Sequence, residues 1–186
     1  MTTVKENFMT TGLSGMYDDK VVFRQWKGRT VFAKPPRRQE TPTQNQLTRK
    51  ALFLDAVDYA MVALADPELK ETYRKMAPLG LTAYNMAIAD FLVAPKVIRI
   101  DTGGYSGERG SVITVVAEDN CRVKSVTVVI AGADGTLVEE GAAVQIAQGR
   151  VWFYTATTAN PVTAGAVITA TATDVPGHHG TGSVTM

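Results

Sequence analysis

Lys124-Ser125-Val126-Thr127-Val128-Val129-Ile130-Ala131 alternates strictly enough to assign faces: Val126, Val128 and Ile130 point one way, Ser125, Thr127 and Val129 the other. A period of two in a run rich in β-branched residues is the mark of a strand with one covered face. Outward from it lie further short runs: Lys96 to Asp101, Ser111 to Glu118, Thr136 to Glu139, Val151 to Ala156, Ala166 to Thr173 and Ser183 to Thr185. Gly103-Gly104, Gly107, Ala133-Asp134-Gly135, Gly141, Gln148-Gly149, Asn160-Pro161 and Pro176-Gly177 divide them. About seven short strands in about 90 residues predict an antiparallel β-sandwich. One cysteine, Cys121, leaves no internal disulfide, and Trp152 falls on a late strand, so the sandwich is immunoglobulin-like only in the broad sense.

Before Pro95 the pattern changes. Val21-Val22-Phe23-Arg24-Gln25-Trp26 and Thr30-Val31-Phe32-Ala33 flank Lys27-Gly28-Arg29 and read as a β-hairpin, ended by Lys34-Pro35-Pro36 because proline has no amide to continue a ladder. Thr41 as N-cap, Pro42 at the first helical position and Gln44 completing a capping box predict a helix to about Ala65. Its apolar stripe is Leu47, Ala51, Leu54, Val57, Met61 and Leu64. Asp66-Pro67 starts a second helix that Pro78 and Gly80 stop; Thr82 caps a third, on which Tyr84, Ala87, Ile88 and Phe91 share a face. The expected fold class is therefore α+β: an extended arm and hairpin over 1–40, a three-helix unit over 41–94 and the antiparallel sandwich over 95–186.

The chain of 186 residues carries 19 Lys plus Arg and 18 Asp plus Glu, a net charge of +1. That balance excludes a histone-like profile, but it conceals an asymmetry. Residues 1–99 hold fifteen basic and ten acidic side chains, a net +5, and residues 100–186 hold four and eight, a net −4. The positive charge concentrates in residues 20–50, where Lys20, Arg24, Lys27, Arg29, Lys34, Arg37, Arg38, Arg49 and Lys50 face only Glu40, interleaved with Phe23, Trp26 and Phe32. Such a segment can engage phosphates and stack bases, dock on an acidic protein surface, or remain a solvated face.

Ile98-Arg99-Ile100-Asp101, the Gly107-Glu108-Arg109-Gly110 turn leading to Val112-Ile113-Thr114-Val115-Val116-Ala117, the Ala133-Asp134-Gly135 turn and Ala170 to Gly177 resemble the bacterial Ig-like repeats of surface and adhesion proteins. Gly12-Leu13-Ser14-Gly15, the Lys27-Gly28-Arg29 hairpin and the Ala65-Asp66-Pro67 helix start resemble a group of uncharacterised bacterial proteins in which such a part precedes an Ig-like module. The resemblance implies a fold and transfers no active site, since each motif is a turn signal.

Residues that could carry chemistry have simpler readings. Asp101, Glu118, Asp119, Asp134 and Asp174 stand at strand ends, where carboxylates can hold calcium, but Asp before a turn ordinarily bonds its own backbone. Glu139 and Glu140 are adjacent on a strand and point to opposite faces, so they cannot act as an acid and base on one substrate. His178-His179 offers two ligands, too few for a metal site, and reads as a solvated loop. Cys121 has no histidine base near it in sequence and reads as a small half-buried residue. Gly103-Gly104 and Gly107 lead to a strand rather than a helix, so no helix N-terminus stands ready for phosphate.

The expectation is a non-enzymatic structural or assembly protein without catalytic, metal or cofactor residues. Its partners are further copies of itself or other protein subunits, met through Val21, Val22, Phe23, Trp26, Val31 and Phe32. Alternatives are a nucleic-acid-associated protein using the basic segment 20–50, and a surface adhesion or carbohydrate-binding module. No run of about 18 apolar residues predicts a membrane span, and Met1 to Gly15 lacks the apolar core of a signal peptide. The location expected is the cytoplasm, with signal-independent export or a virion as the other settings.

Overall fold

The computed structural model describes the backbone of residues 2–3 and residues 10–35, 41–146 and 149–186 in full. Two compact units emerge, residues 1–46 and 47–186.

The first unit is a small antiparallel sheet of β1 (Thr2–Thr3), β2 (Gly15–Tyr17), β3 (Val21–Trp26) and β4 (Arg29–Ala33), in the order β1-β4-β3-β2. The β3–β4 hairpin follows the sequence reading, with Trp26 paired to Arg29 across a two-residue turn. Lys27 and Gly28 both have positive φ, 48° and 74°, the type I′ geometry that matches strand twist. β2 lies within what the sequence indicates as an extended arm. Its connection to β3 turns through Asp18 and Asp19, also at positive φ, with Lys20 N–H donating to Tyr17 O at 3.2 Å. A short polar side chain tolerates this left-handed backbone far better than a branched one, which is why two aspartates make a turn without glycine.

The helices are α1 (Gln44–Ala63), which belongs to the second unit from Leu47 on, α2 (Pro67–Met76) and α3 (Ala83–Phe91). The capping box on α1 sits two residues later than Thr41/Gln44. Thr43 Oγ1 accepts from Gln46 N–H at 3.3 Å and Gln46 Oε1 accepts from Thr43 N–H at 2.8 Å. Asp66 caps α2 through bonds from Glu68 and Leu69 N–H, and Thr82 caps α3 through Asn85 N–H, as the sequence indicates.

The buried side of α1 differs from the expected stripe. Ala56, Ala60 and Ala63 are buried, with Val57, Tyr59 and Leu64 half-buried beside them, whereas Leu47, Leu54 and Met61 are exposed. Tyr73, Met86 and Ile88 supply the volume of this core, so the helix facing them contributes methyl groups. Among the described residues no helix is long and apolar enough to cross a membrane.

The sandwich comprises β5 (Lys96–Asp101), β6 (Val112–Glu118), β7 (Ser125–Ala131), β8 (Leu137–Ala142), β9 (Val144–Gln145), β10 (Val151–Thr155), β11 (Val167–Thr173) and β12 (His179–Thr185). Two four-stranded antiparallel sheets, β5-β6-β10-β9 and β12-β11-β7-β8, face each other. This is the immunoglobulin constant-type order with β8 added to the second sheet. Alternation dictates the core: Val115 opposite Trp152 and Ile113 opposite Tyr154 in one sheet, Val126 opposite Ala172, Val128 opposite Ala170 and Ile130 opposite Ile168 in the other. Each large side chain among them contributes about 1.5–3 kcal/mol by leaving water.

The two sides of the sandwich are finished differently. A Cβ on Gly180 would stand 1.8 Å from Pro95 O and one on Gly182 would stand 3.0 Å from Val97 Cγ1, so glycine at both positions lets β12 lie against β5. At the other side the chain passes from β8 into β9 through Ala143, whose N–H donates to Val126 O at 2.8 Å. There β8 and β9 are the outer strands of their sheets.

Candidate functional site

Two places carry features beyond fold maintenance: the surface of the N-terminal sheet, and a polar network with an adjoining groove in the second unit.

In the N-terminal sheet, pairing and alternation sort the residues into faces. Val22, Arg24 and Trp26 share one face of β3 and stand opposite Ala33, Val31 and Arg29 of β4. Phe23 and Phe32 meet on the other face with ring centroids 6.2 Å apart. Gln25 Nε2 on that face donates to Leu13 O at 2.8 Å and to Thr30 Oγ1 at 2.9 Å, which ties the 10–14 segment over the sheet. Of the residues singled out for assembly, Val31 is buried, Val21, Val22, Phe23 and Phe32 are half-buried and Trp26 is exposed. Met16 and Tyr17 on the edge strand β2 are more exposed still, at 61% and 71%, and sequence reading missed them because β2 itself was missed.

The basic residues divide. Lys20, Arg24, Lys27, Arg29 and Lys34 belong to the N-terminal unit, Arg49 and Lys50 to α1, and Arg37 and Arg38 lie outside the described residues. Within the sheet, Arg24 and Arg29 share a face with Trp26, and Lys27 Nζ stands 5.2 Å from the Trp26 ring centre, a cation–π contact. Lys20 is paired to Asp18 at 2.6 Å.

In the second unit a chain of hydrogen bonds runs inward from α1. The Tyr73 hydroxyl donates to Asp90 Oδ2 at 2.5 Å, and the Tyr59 and Tyr73 hydroxyls are 2.7 Å apart. With the Tyr73 proton committed to Asp90, Tyr59 is the donor to Tyr73. Asp90 is wholly buried, and its Oδ1 has no hydrogen-bond partner among the described residues. Burial pushes its carboxyl up to about 6, nearby Asp119 and Asp174 adding repulsion while the Tyr73 bond opposes it. Burial first, and then the bond to Asp90, raises Tyr73; burial and the Asp90 charge raise the Cys121 thiol. Periodicity carried a signal for Asp90, which follows Met86 and Ala87 on the buried side of α3, the position of an apolar residue.

The network joins the helices to the sandwich loops. Asn120 Nδ2 donates to Ala89 O at 2.7 Å, and the Phe91 and His178 rings meet edge to face at 4.9 Å. His178 is accordingly half-buried rather than part of a solvated loop, with Nδ1 3.1 Å from Asp174 Oδ2, and His179 lies on β12. Asp174 Oδ1 also accepts from Gly177 and His178 N–H, both at 2.6 Å. The turn reading of the other strand-end aspartates holds: Asp101 accepts from Gly103 N–H, Asp119 from Cys121 and Arg122 N–H, and Asp134 from Thr136 N–H.

A groove of about 680 Å³ opens beside this network, lined among others by Met76, Glu118, Asp119, Cys121, Arg122 and Arg150. Arg150 pairs with Glu118 at 2.5 Å and Asp119 accepts from the turn amides of Cys121 and Arg122. The raised Cys121 thiol is a poor nucleophile. Among the described residues no group of three or more His, Cys, Asp or Glu is placed to hold a metal ion. Glu139, buried on β8, accepts from Thr157 N–H, Thr157 Oγ1 and Thr158 N–H at 2.9, 2.7 and 3.1 Å, which fixes the loop after β10.

No family model matches the chain, and no curated protein matches it. Among solved structures, CopC from Methylosinus trichosporium OB3b is similar over 48% of this chain and 87% of its own, at 17% identity and a TM-score of 0.34. This distant likeness assigns no family.

Proposed function

We propose that the protein is a non-enzymatic structural subunit that self-associates through its N-terminal sheet and the outer strands of the sandwich. The observation that carries this reading is the N-terminal sheet itself. Its edge strand β2 presents Met16 and Tyr17 to solvent, and Trp26 is exposed at the hairpin turn. A sheet edge with unpaired backbone groups and exposed apolar side chains is a template for another strand. The sandwich offers the matching element in β8, an outer strand with exposed Leu137 and Glu140. Addition of the β2 edge of one chain to the sandwich edge of the next is head to tail, and the net +5 of residues 1–99 and −4 of residues 100–186 favour that polarity.

A second reading is supported by one local arrangement, the shared face of Arg24, Trp26 and Arg29, which suits a phosphate backbone with a stacked base. Sedimentation velocity on two double variants separates the readings. Met16→Glu with Tyr17→Glu alters exposed side chains and is expected to abolish the larger species while leaving the fold intact. Arg24→Glu with Arg29→Glu is expected to leave it in high salt. Loss of assembly only in the arginine variant, together with salt-sensitive binding of a single-stranded oligonucleotide by the unmodified chain, would replace the first reading by the second.

A further inference from the structure

We infer that the outward face of α1 is a second contact of the assembly, at which two copies of the chain pair their α1 helices antiparallel about a two-fold axis at Leu54. The inference rests on the self-association reading and names the partner at one surface. At 100° per residue, Leu47, Ala51, Leu54, Met61 and Val62 fall on the side opposite the buried Ala56, Ala60 and Ala63. Met61 and Val62 are 66% and 75% exposed. Among the described residues the covered part of α1 is at Ala56, Ala60 and Ala63, with Leu52 and Phe53 exposed nearer its start, and an apolar strip left exposed along a helix marks a contact surface. Leu47, Leu54 and Met61 fall seven residues apart, the spacing of one seam of a helix pair.

Charge decides the occupant and its direction. Asp58 stands within the apolar face and Lys50 at its margin, each four residues from Leu54, about 6 Å along the axis. Both are exposed, and among the described residues neither belongs to an ion pair. A parallel, in-register pair would set Asp58 against Asp58 and Lys50 against Lys50. An antiparallel pair centred on Leu54 brings Lys50 of each copy level with Asp58 of the other, while Leu47 meets Met61 and Leu54 meets its own counterpart. One polar residue inside an apolar seam is a known way to fix helix direction. The contact is isologous, so it pairs chains, whereas the head-to-tail contact propagates them.

Cysteine cross-linking tests the geometry, with the unmodified chain and its half-buried Cys121 as baseline. Under mild oxidation Leu54→Cys should yield a disulfide-linked dimer of twice 20.0 kDa. Leu47→Cys and Met61→Cys should each stay single and should cross-link when mixed. The same reactions are run with Met16→Glu and Tyr17→Glu added, which removes the other contact. A dimer that still forms there supports the pairing independently of head-to-tail assembly. Absence of the Leu54→Cys dimer while the unmodified chain assembles overturns the α1 pairing and leaves the self-association reading standing; its absence from a chain that is monomeric throughout overturns both. A Leu47→Cys homodimer would establish a parallel pair and overturn the antiparallel one.

Discussion

Replacement of Asp90 by asparagine should remove a specific pH dependence from the stability of the second unit. In the folded chain the Asp90 carboxyl is wholly buried and its pKa is raised from 3.8 to about 6. The folded state therefore holds a proton more tightly than the unfolded state, and the sign follows. The contribution of this group is most favourable below pH 3.8 and is lost as the pH rises through about 6. At about 1.4 kcal/mol per pH unit the loss amounts to about 3 kcal/mol. Asparagine keeps an acceptor for the Tyr73 hydroxyl and does not ionise. The unmodified chain minus Asp90→Asn should then show a stability difference that falls by about 2.4 kcal/mol between pH 4 and pH 7.5, whatever constant offset the amide introduces. Urea unfolding followed by Trp152 fluorescence reads it, in a Trp26→Phe background so that the buried tryptophan is the only reporter. Dilute protein keeps association from contributing. A difference that does not change with pH would refute the reasoning, since Asp90 would then ionise in the fold as it does in water.

Gly180→Ala should cost about 3 kcal/mol or more, because its Cβ cannot occupy a point 1.8 Å from Pro95 O unless β12 and β5 separate; Gly149→Ala, whose nearest neighbour is 3.6 Å away, should change thermal unfolding little. Glu139→Ala leaves three donors at Thr157 and Thr158 without their acceptor and should cost about 2–4 kcal/mol in urea unfolding, most of it restored in Glu139→Gln. Asp66→Ala removes the α2 cap and should lower stability by about 1 kcal/mol, readable as a small drop in urea midpoint with unchanged slope.

What the sequence made legible follows from how local the cause was. The period-two runs located β5, β6, β7, β10 and β11 because one covered face is written directly into alternating Val, Ile and Thr. Asp66-Pro67 and Thr82 fixed two helix starts because a cap acts within three residues. The capping box of α1 was ambiguous, since Thr41…Gln44 and Thr43…Gln46 offer the same chemistry and only the backbone chooses between them. The buried side of α1 was illegible for a different reason. Its larger residues suggest the core, yet the three alanines face it because Tyr73, Met86 and Ile88 from other helices already fill the space. His178 was read as solvated because Phe91 and Asp174, which hold it, are joined to it only by tertiary structure. The two-residue β9 and the three-residue β2 are too short to show alternation at all.

The claim of self-association is tested most directly by the absolute mass of nuclease-treated protein, measured by light scattering across a concentration and salt series with ultraviolet absorbance recorded alongside. Self-association requires a species of at least twice 20.0 kDa that grows with concentration, persists in high salt and carries no nucleic-acid absorbance; a 20.0 kDa monomer at every concentration would contradict it.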